Sequence, residues 1–351
     1  MQARLPRVFQ CLALGLLAIP RVLMAQESWP MGHYPLPKEG DFIGEVKTIE
    51  ADHEDTLIDI GLRHGIGYNA IRQANPDTRV WLPGEGTDVV VPTRFILPPG
   101  PREGVVINIA ELRLYYYPSV EESEAPRVET YPIGIGRMDW QTPLGETQIT
   151  AKVEDPTWYP PQSIIKEYAE RGVDLPRAVP PGPDNPLGDF AMILGIPGYL
   201  IHGTNRPQGV GMRVSHGCIR MLPEDIEDLI YRVPVGTTVR LINEPFKLGW
   251  TPQGTLQAQA YPVPETSPEE LSARIEKAFD ATTQAANDRK FLIDYARLKQ
   301  MVENPNGIPQ PLLLAEAPFE IPAGSFYDRV ELDHALYSQL EASLPEEATN
   351  E

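Results

Sequence analysis

Apolar and polar residues alternate in Val46-Lys47-Thr48-Ile49-Glu50, the period-two pattern of a half-buried strand. The period then lengthens. Leu57, Ile58, Ile60 and Leu62 recur at helical spacing between a capping Asp55 or Thr56 and a stopping Gly65. A second short helix is predicted from Tyr68, ended by Asn75-Pro76. After a turn at Leu82–Thr87, Val89-Val90-Val91-Pro92 reads as a closing strand. Residues 44–93 are therefore expected to form a small strand–helix–helix–strand module, preceded by an extended, Pro- and Gly-rich leader over Glu27–Asp41.

Beyond a Pro98-Pro99-Gly100-Pro101 linker the short period returns. Strands are predicted over Val105–Ile109, Glu111–Tyr117, Thr130–Gly136, Thr147–Val153, Ala191–Leu194, Tyr199–His202 and Thr237–Ile242, with one helix over Asp225–Tyr231. Glycine and proline punctuate them, so residues 103–243 are expected as a mainly β domain with a sandwich- or barrel-like sheet. In the tail, residues 262–351, the period is helical again. Ser267-Pro268-Glu269-Glu270 is a capping-box start. Leu271, Ile275, Phe279, Phe291, Leu292, Tyr295, Leu298 and Met301 then predict one long or two shorter helices up to Glu303. A further short helix is expected over Leu332–Leu344, making the tail helical and loop-rich.

Composition narrows the class. A chain of 351 residues with an apolar fraction of 42% supports two or three domains with real cores. The net charge of −19 argues against nucleic acid as a partner, because phosphate binding needs clustered Lys and Arg. Residues 1–25 read as a secretory signal: Arg4 and Arg7, an apolar run over Val8–Pro20, and Ala25 before a cut at Gln26. The apolar run is shorter than the ~20 residues that cross a bilayer, and no later segment qualifies as a transmembrane helix. The chain is expected to be exported and soluble.

Cysteine usage points to chemistry. The chain has 2 cysteines, and Cys11 lies in the signal segment. Cys218 would remain as a lone thiol within Ser215-His216-Gly217-Cys218-Ile219-Arg220, shortly after His202-Gly203-Thr204-Asn205. A lone thiol in an exported chain forms no internal disulfide, and a buried filler cysteine needs no histidines around it. The thiolate is the nucleophile, yet a free thiol with a pKa near ~8.5 is mostly protonated at neutral pH. A histidine can take its proton; His202 and His216 are both candidates, and spacing alone does not choose between them. Gly217 lets amide groups near Cys218 converge on an oxyanion, with Ser215 and Gly203 as candidate support. Arg213, Arg220 and Thr204 are candidate substrate contacts, since arginine matches carboxylates bidentately. A zinc site from His202, His216 and Cys218 would have only three ligands, and the chain has no Cys-x-x-Cys or His-Glu-x-x-His motif.

These two motifs resemble the signature of the YkuD-type L,D-transpeptidases. The resemblance extends through Leu112-Arg113-Leu114-Tyr115, Pro132-Ile133-Gly134-Ile135-Gly136, Thr142-Pro143-Leu144-Gly145 and Gly182–Gly188. The module in front resembles a LysM module, through Asp55-Thr56-Leu57, Ile71–Pro76, Leu82-Pro83-Gly84 and Val91-Pro92. The resemblance implies a YkuD-type β fold with Cys218 as nucleophile, His202 as general base, His216, Ser215 and Gly217 in support, and no metal or cofactor. It implies a periplasmic enzyme that attacks the carbonyl of the L-centre of the third residue of a peptidoglycan tetrapeptide, releases D-Ala and passes the acyl group to an amine. That amine is an outer-membrane lipoprotein lysine or a second diaminopimelate, with Asp155–Pro161 and Gly182–Gly188 as candidate walls of its path. Hydrolysis by an L,D-carboxypeptidase or a lipoprotein-detaching enzyme of the same fold is one alternative, and non-catalytic peptidoglycan binding through the module is another.

Overall fold

The computed structural model describes residues 29–119, 125–137, 142–215, 217–264, 267–286 and 292–314. The signal segment 1–25, His216, Phe291 and the expected helix at Leu332–Leu344 lie outside the described residues. The leader contributes a short strand, β1 (His33–Pro35). Then come β2 (Phe42–Glu50), α1 (Leu57–Arg63), α2 (Tyr68–Ala74) and β3 (Asp88–Ile96). The cap of α1 is Thr56: its hydroxyl accepts the Asp59 N–H at 3.1 Å and the Asp59 carboxylate accepts the Thr56 N–H at 3.1 Å. Asp55 instead pairs with Arg63 at 2.7 Å. Asn75 ends α2 and pins it to β3, bonding Ile71 O, Val90 O and Val90 N at 2.8 Å each.

The next strands are β4 (Gly104–Asn108), β5 (Arg113–Tyr117), β6 (Arg127–Pro132), β7 (Ile135–Gly136) and β8 (Gly145–Glu154). A helix that the sequence reading lacks, α3 (Gln162–Glu170), follows. Then come β9 (Phe190–Leu194), β10 (Leu200–His202), β11 (Arg213–Ser215), β12 (Ile219–Arg220), α4 (Pro223–Arg232) and β13 (Thr238–Ile242). Nine strands form one curled sheet in the order β1-β6-β5-β4-β13-β8-β9-β10-β12. The expected mainly β architecture is the observed one. Pairing is parallel at β4–β13 and β10–β12 and antiparallel elsewhere in this sheet. β8 spans the middle, pairing with β13 at one end and β9 at the other, with a bulge between Ile149 and Ala151 that bends the sheet.

Alternation along β4 and β5 sends side chains to two different cores. Val105, Ile107, Leu114 and Tyr116 face the core closed by α4, through Ile226, Leu229 and Val233. Val106, Tyr115 and Tyr117 face the other way, into a core that they share with Leu57, Ile60, Ile71, Val89 and Phe95 of the strand–helix–helix–strand unit. The proline linker separates the two units along the chain, yet their apolar interiors are continuous.

The tail carries a sheet that its apolar pattern does not announce. β14 (Phe246–Trp250), β15 (Leu256–Ala260) and β16 (Gln310–Pro311) pair antiparallel. Two helices, α5 (Pro268–Ala286) and α6 (Tyr295–Glu303), pack on them around Ala258, Ala278, Leu298, Met301 and Leu312. Within residues 262–351 the two helices stand where the apolar spacing puts them, with β16 added; β14 and β15 precede that range, and their Lys247 and Gln259, polar in sequence, point inward.

Lys247 makes the joint between the units. Its ammonium donates to Glu111 at 2.8 Å and to the Ile96 carbonyl. The Glu111 carboxylate also accepts Tyr115 OH at 2.5 Å, Tyr261 OH at 2.7 Å and Asn108 Nδ2 at 3.2 Å. Both charged side chains are buried, and burial pushes the Lys247 pKa down against the pull of Glu111. Removing one partner strands the other. Lys247→Met is expected to cost about 3–5 kcal/mol, read as a lower denaturant midpoint at unchanged slope. The double change Lys247→Met with Glu111→Gln is expected to recover most of it. A single variant with the wild-type midpoint would mean that Glu111 carries no charge to strand.

Candidate active site

The parallel pair β10 and β12 aligns Ile201 with Ile219 and His202 with Arg220. Ile201 and Ile219 are fully buried in the α4 core. Side chains alternate along a strand, so His202 and Arg220 face the opposite side. The Leu200 N–H reaches the Cys218 thiol just before β12. Cys218 directly precedes β12, and the Arg220 charge acts on both it and His202.

The loop carrying Cys218 is held from several directions. Ser215 is 1% exposed, and its hydroxyl donates to the Cys218 carbonyl at 2.6 Å. Thr142 Oγ1 donates to the Gly217 carbonyl at 2.9 Å. The Arg137 N–H donates to Ser215 O at 2.9 Å, and Gly134 and Arg220 exchange two backbone bonds of 2.8 Å. Gly217 has φ +105°, a left-handed conformation that glycine supplies without strain.

His202 is buried, and its Nδ1 lies 2.7 Å from the Gly203 carbonyl. A carbonyl only accepts, so Nδ1 carries the proton and Nε2 keeps the basic lone pair of the neutral ring. Burial first, and the Arg220 charge second, push the His202 pKa down to about 4. The Cys218 thiol donates to Gly198 O at 3.6 Å and shares no hydrogen bond with His202. Burial raises its pKa, and this outweighs the lowering by the Leu200 N–H and by Arg220. At neutral pH the pair rests as a thiol and a neutral imidazole.

Arg220 reaches a cleft of about 1010 Å³, which neither Cys218 nor His202 lines. Trp158 and residues of the Gly182–Gly188 loop form walls of this cleft, and α3 adds Tyr168. Asn185, buried within that loop, fixes its shape: Nδ2 donates to Pro156 O at 2.6 Å and Oδ1 accepts the Leu187 N–H at 2.9 Å. Arg137, Arg171, Arg206 and Arg220 line the cleft in an otherwise acidic chain. Glu167 binds Arg137 through two bonds of 3.0 Å and Arg171 at 2.7 Å. Arg206 and Arg220 meet no carboxylate among the described residues, and Arg220 Nε is buried without a partner.

The structure separates the expected site residues. Cys218, His202 and Arg220 come together, with Ser215 and Gly217 shaping the loop. Arg213 does not join them: its guanidinium donates to Ile109 O at 2.9 Å and lines a separate crevice beside α2. Thr204 is buried and spends its hydroxyl on the Arg206 N–H at 3.0 Å, closing a turn instead of reaching a substrate. The Gly203 N–H is already taken by Phe190 O at 3.0 Å, so it is not a free oxyanion donor. Arg206 and Arg137 were missed by the sequence reading. Arg206 directly follows the quoted His202–Asn205 motif; Arg137 carries no local signal.

Comparison with known proteins places these features in one family. The family model described as the YkuD L,D-transpeptidase catalytic domain matches residues 102–241. The probable L,D-transpeptidase ErfK/SrfK of Salmonella typhimurium is 38% identical over 284 residues, covering 79% of this chain and 89% of the relative. YbiS of Escherichia coli, a probable L,D-transpeptidase, is 36% identical over 282 residues, covering 79% and 90%. YcfS of the same species, named likewise, is 43% identical over 227 residues, covering 63% and 70%.

Proposed function

The chain belongs to the YkuD family of L,D-transpeptidases, and we propose that it acts on peptidoglycan stem tetrapeptides through a thioester on Cys218. The observation that carries this reading is the grouping of Cys218, His202 and Arg220 at β10 and β12, with Arg220 reaching a cleft that Arg206 also lines. Arg220 and Arg206 receive stem carboxylates, for which a guanidinium fork is suited.

The reaction starts from a neutral pair. Cys218 Sγ leaves the Gly198 carbonyl and turns to the peptide carbonyl that follows the third residue. As the Sγ–C bond forms, the thiol proton passes to His202 Nε2 and the carbonyl electron pair moves to oxygen. Collapse breaks the C–N bond, and His202 returns the proton to the departing D-Ala amine. An acceptor amine then attacks the thioester, gives up a proton through His202 and restores the Cys218 thiol. Catalytic hydrogen bonds are often long before substrate binds, so the missing Cys218–His202 bond is consistent with this sequence of steps.

The acceptor is an amine, either a lipoprotein lysine or a second diaminopimelate, in the periplasm of the cell that makes the wall. The strand–helix–helix–strand unit is read as the glycan-binding part. Trp81, 71% exposed at its turn, offers a flat face for a sugar ring. The pure protein is to be mixed with a disaccharide tetrapeptide, with and without a peptide ending in lysine, and the products weighed. A lysine conjugate or a cross-linked dimer, with D-Ala released, is expected. Tripeptide alone would replace transfer by hydrolysis, and no D-Ala at all would leave only the binding role.

A further inference from the structure

We propose that the first turn of α2 is a positioning element for the nucleophile loop, so that the strand–helix–helix–strand unit forms part of the active-site scaffold. The inference rests on the Cys218 reading above. The opening N–H groups of a helix have no acceptor inside it. In α2 they are spent on the catalytic unit: Tyr68 N–H donates to Val210 O at 3.3 Å and Asn69 N–H to Gly211 O at 3.1 Å. The Gly211 N–H donates in turn to Ile133 O at 3.1 Å, so this residue is clamped between α2 and the strands beside Cys218. The next segment is β11, whose Arg213 and Ser215 align with β7 and whose Ser215 holds the Cys218 carbonyl.

The contact leaves no slack. A Cβ on Gly67 would come within 2.5 Å of Gly211 Cα, and one on Gly211 within 2.3 Å of Tyr68 N. Arg113 locks the seating from the sheet: its guanidinium donates to Gly65 O at 2.7 Å and lies 4.1 Å over the Phe95 ring. A tether that only raised local concentration would need none of these bonds. Moving α2 moves Val210 and Gly211, and through β11 the turn that presents Cys218. A displacement of about 1 Å in a reacting group costs on the order of 100-fold in rate.

Three variants of the full chain test this. Gly67 has φ −73° and ψ 163°, which alanine adopts freely, so only the Gly211 contact opposes Gly67→Ala. Tyr68→Pro deletes the N–H that bonds Val210. Proline suits the first position of a helix, and Gly67 already has the extended backbone that proline requires of its predecessor. Tyr68→Ala loses the same ring and keeps the N–H. Each is assayed with a soluble disaccharide tetrapeptide for kcat and KM, and with iodoacetamide for the alkylation rate of Cys218. Gly67→Ala and Tyr68→Pro are expected to lose at least about tenfold in kcat, with KM within about twofold, and to alkylate Cys218 at a changed rate. Tyr68→Ala is expected to match wild type in all three. Wild-type kcat and alkylation in the first two variants, or an equal loss in Tyr68→Ala, overturns the inference. If wild type itself releases no D-Ala, the proposed reaction is what fails, and the alkylation rates still decide whether α2 positions the thiol.

Discussion

Cys218→Ala is expected to leave the protein folded and to reduce acylation to background. The thiol contributes little to structure: it makes a long contact to Gly198 O at 3.6 Å and accepts the Leu200 N–H. The loop is held instead by Ser215 on the Cys218 carbonyl and Thr142 on the Gly217 carbonyl, and both bonds are made to backbone that alanine retains. No other free cysteine occurs among the described residues to take over the attack. Loss of a nucleophile that acts with its base as a unit typically removes on the order of a million-fold in kcat. Intact-mass measurement after incubation with a carbapenem reads the result: an adduct on wild type and none on the variant, with both melting alike. An adduct on Cys218→Ala, or its absence on wild type, would sink the assignment.

His202→Ala is expected to slow acylation by about 100- to 10,000-fold, the usual cost of losing a general base, and by more than His216→Ala. The environment of His202 adds a pH signature. Burial and Arg220 hold its pKa down to about 4, against the ordinary 6.5. The base works in its neutral form, which a lowered pKa preserves under mild acid. The acid limb of kcat/KM should therefore fall near about 4 and not near 6.5. A limb at the ordinary histidine value would mean that the working base is solvated, and so is not the His202 described above. If His216→Ala is the slower variant, the two roles are reversed.

Much of this was legible in the sequence, and the misses have physical causes. The β2–α1–α2–β3 order could be read because each element carries its own period and its own stop: Gly65 after α1, Asn75-Pro76 after α2. The catalytic strands could be read for the same reason. The tail sheet could not. In β15, Leu256-Gln257-Ala258-Gln259-Ala260, alanine and glutamine have little strand preference, and Gln259 is buried because it bonds Ile96 N and Gly307 O across units. Lys247 reads as a solvated charge until Glu111 is found opposite it. At the site, Cys218, His202 and Arg220 were marked by their motif. Thr204 shares a motif and Arg213 lies just before one, but both spend their groups on other bonds, because strand alternation and turn geometry, not proximity in sequence, decide which side chains meet. Arg137 enters from β7's end and α3's Glu167, a meeting that only the tertiary fold creates. The shared core beneath the linker was equally hidden, since a proline-rich connection says nothing about whether the units it joins later pack together.

The burial that raises the Cys218 pKa also bears on how the thiol meets oxidants. Peroxides and disulfides react with thiolates far faster than with thiols. Burial disfavours the thiolate of Cys218, the form that oxidants attack. A permanently ionised cysteine would be faster in its first turnover and sooner lost to sulfenic acid or a mixed disulfide. In the proposed mechanism ionisation is deferred until a substrate carbonyl is in place to receive the electron pair, which would limit oxidation between turnovers.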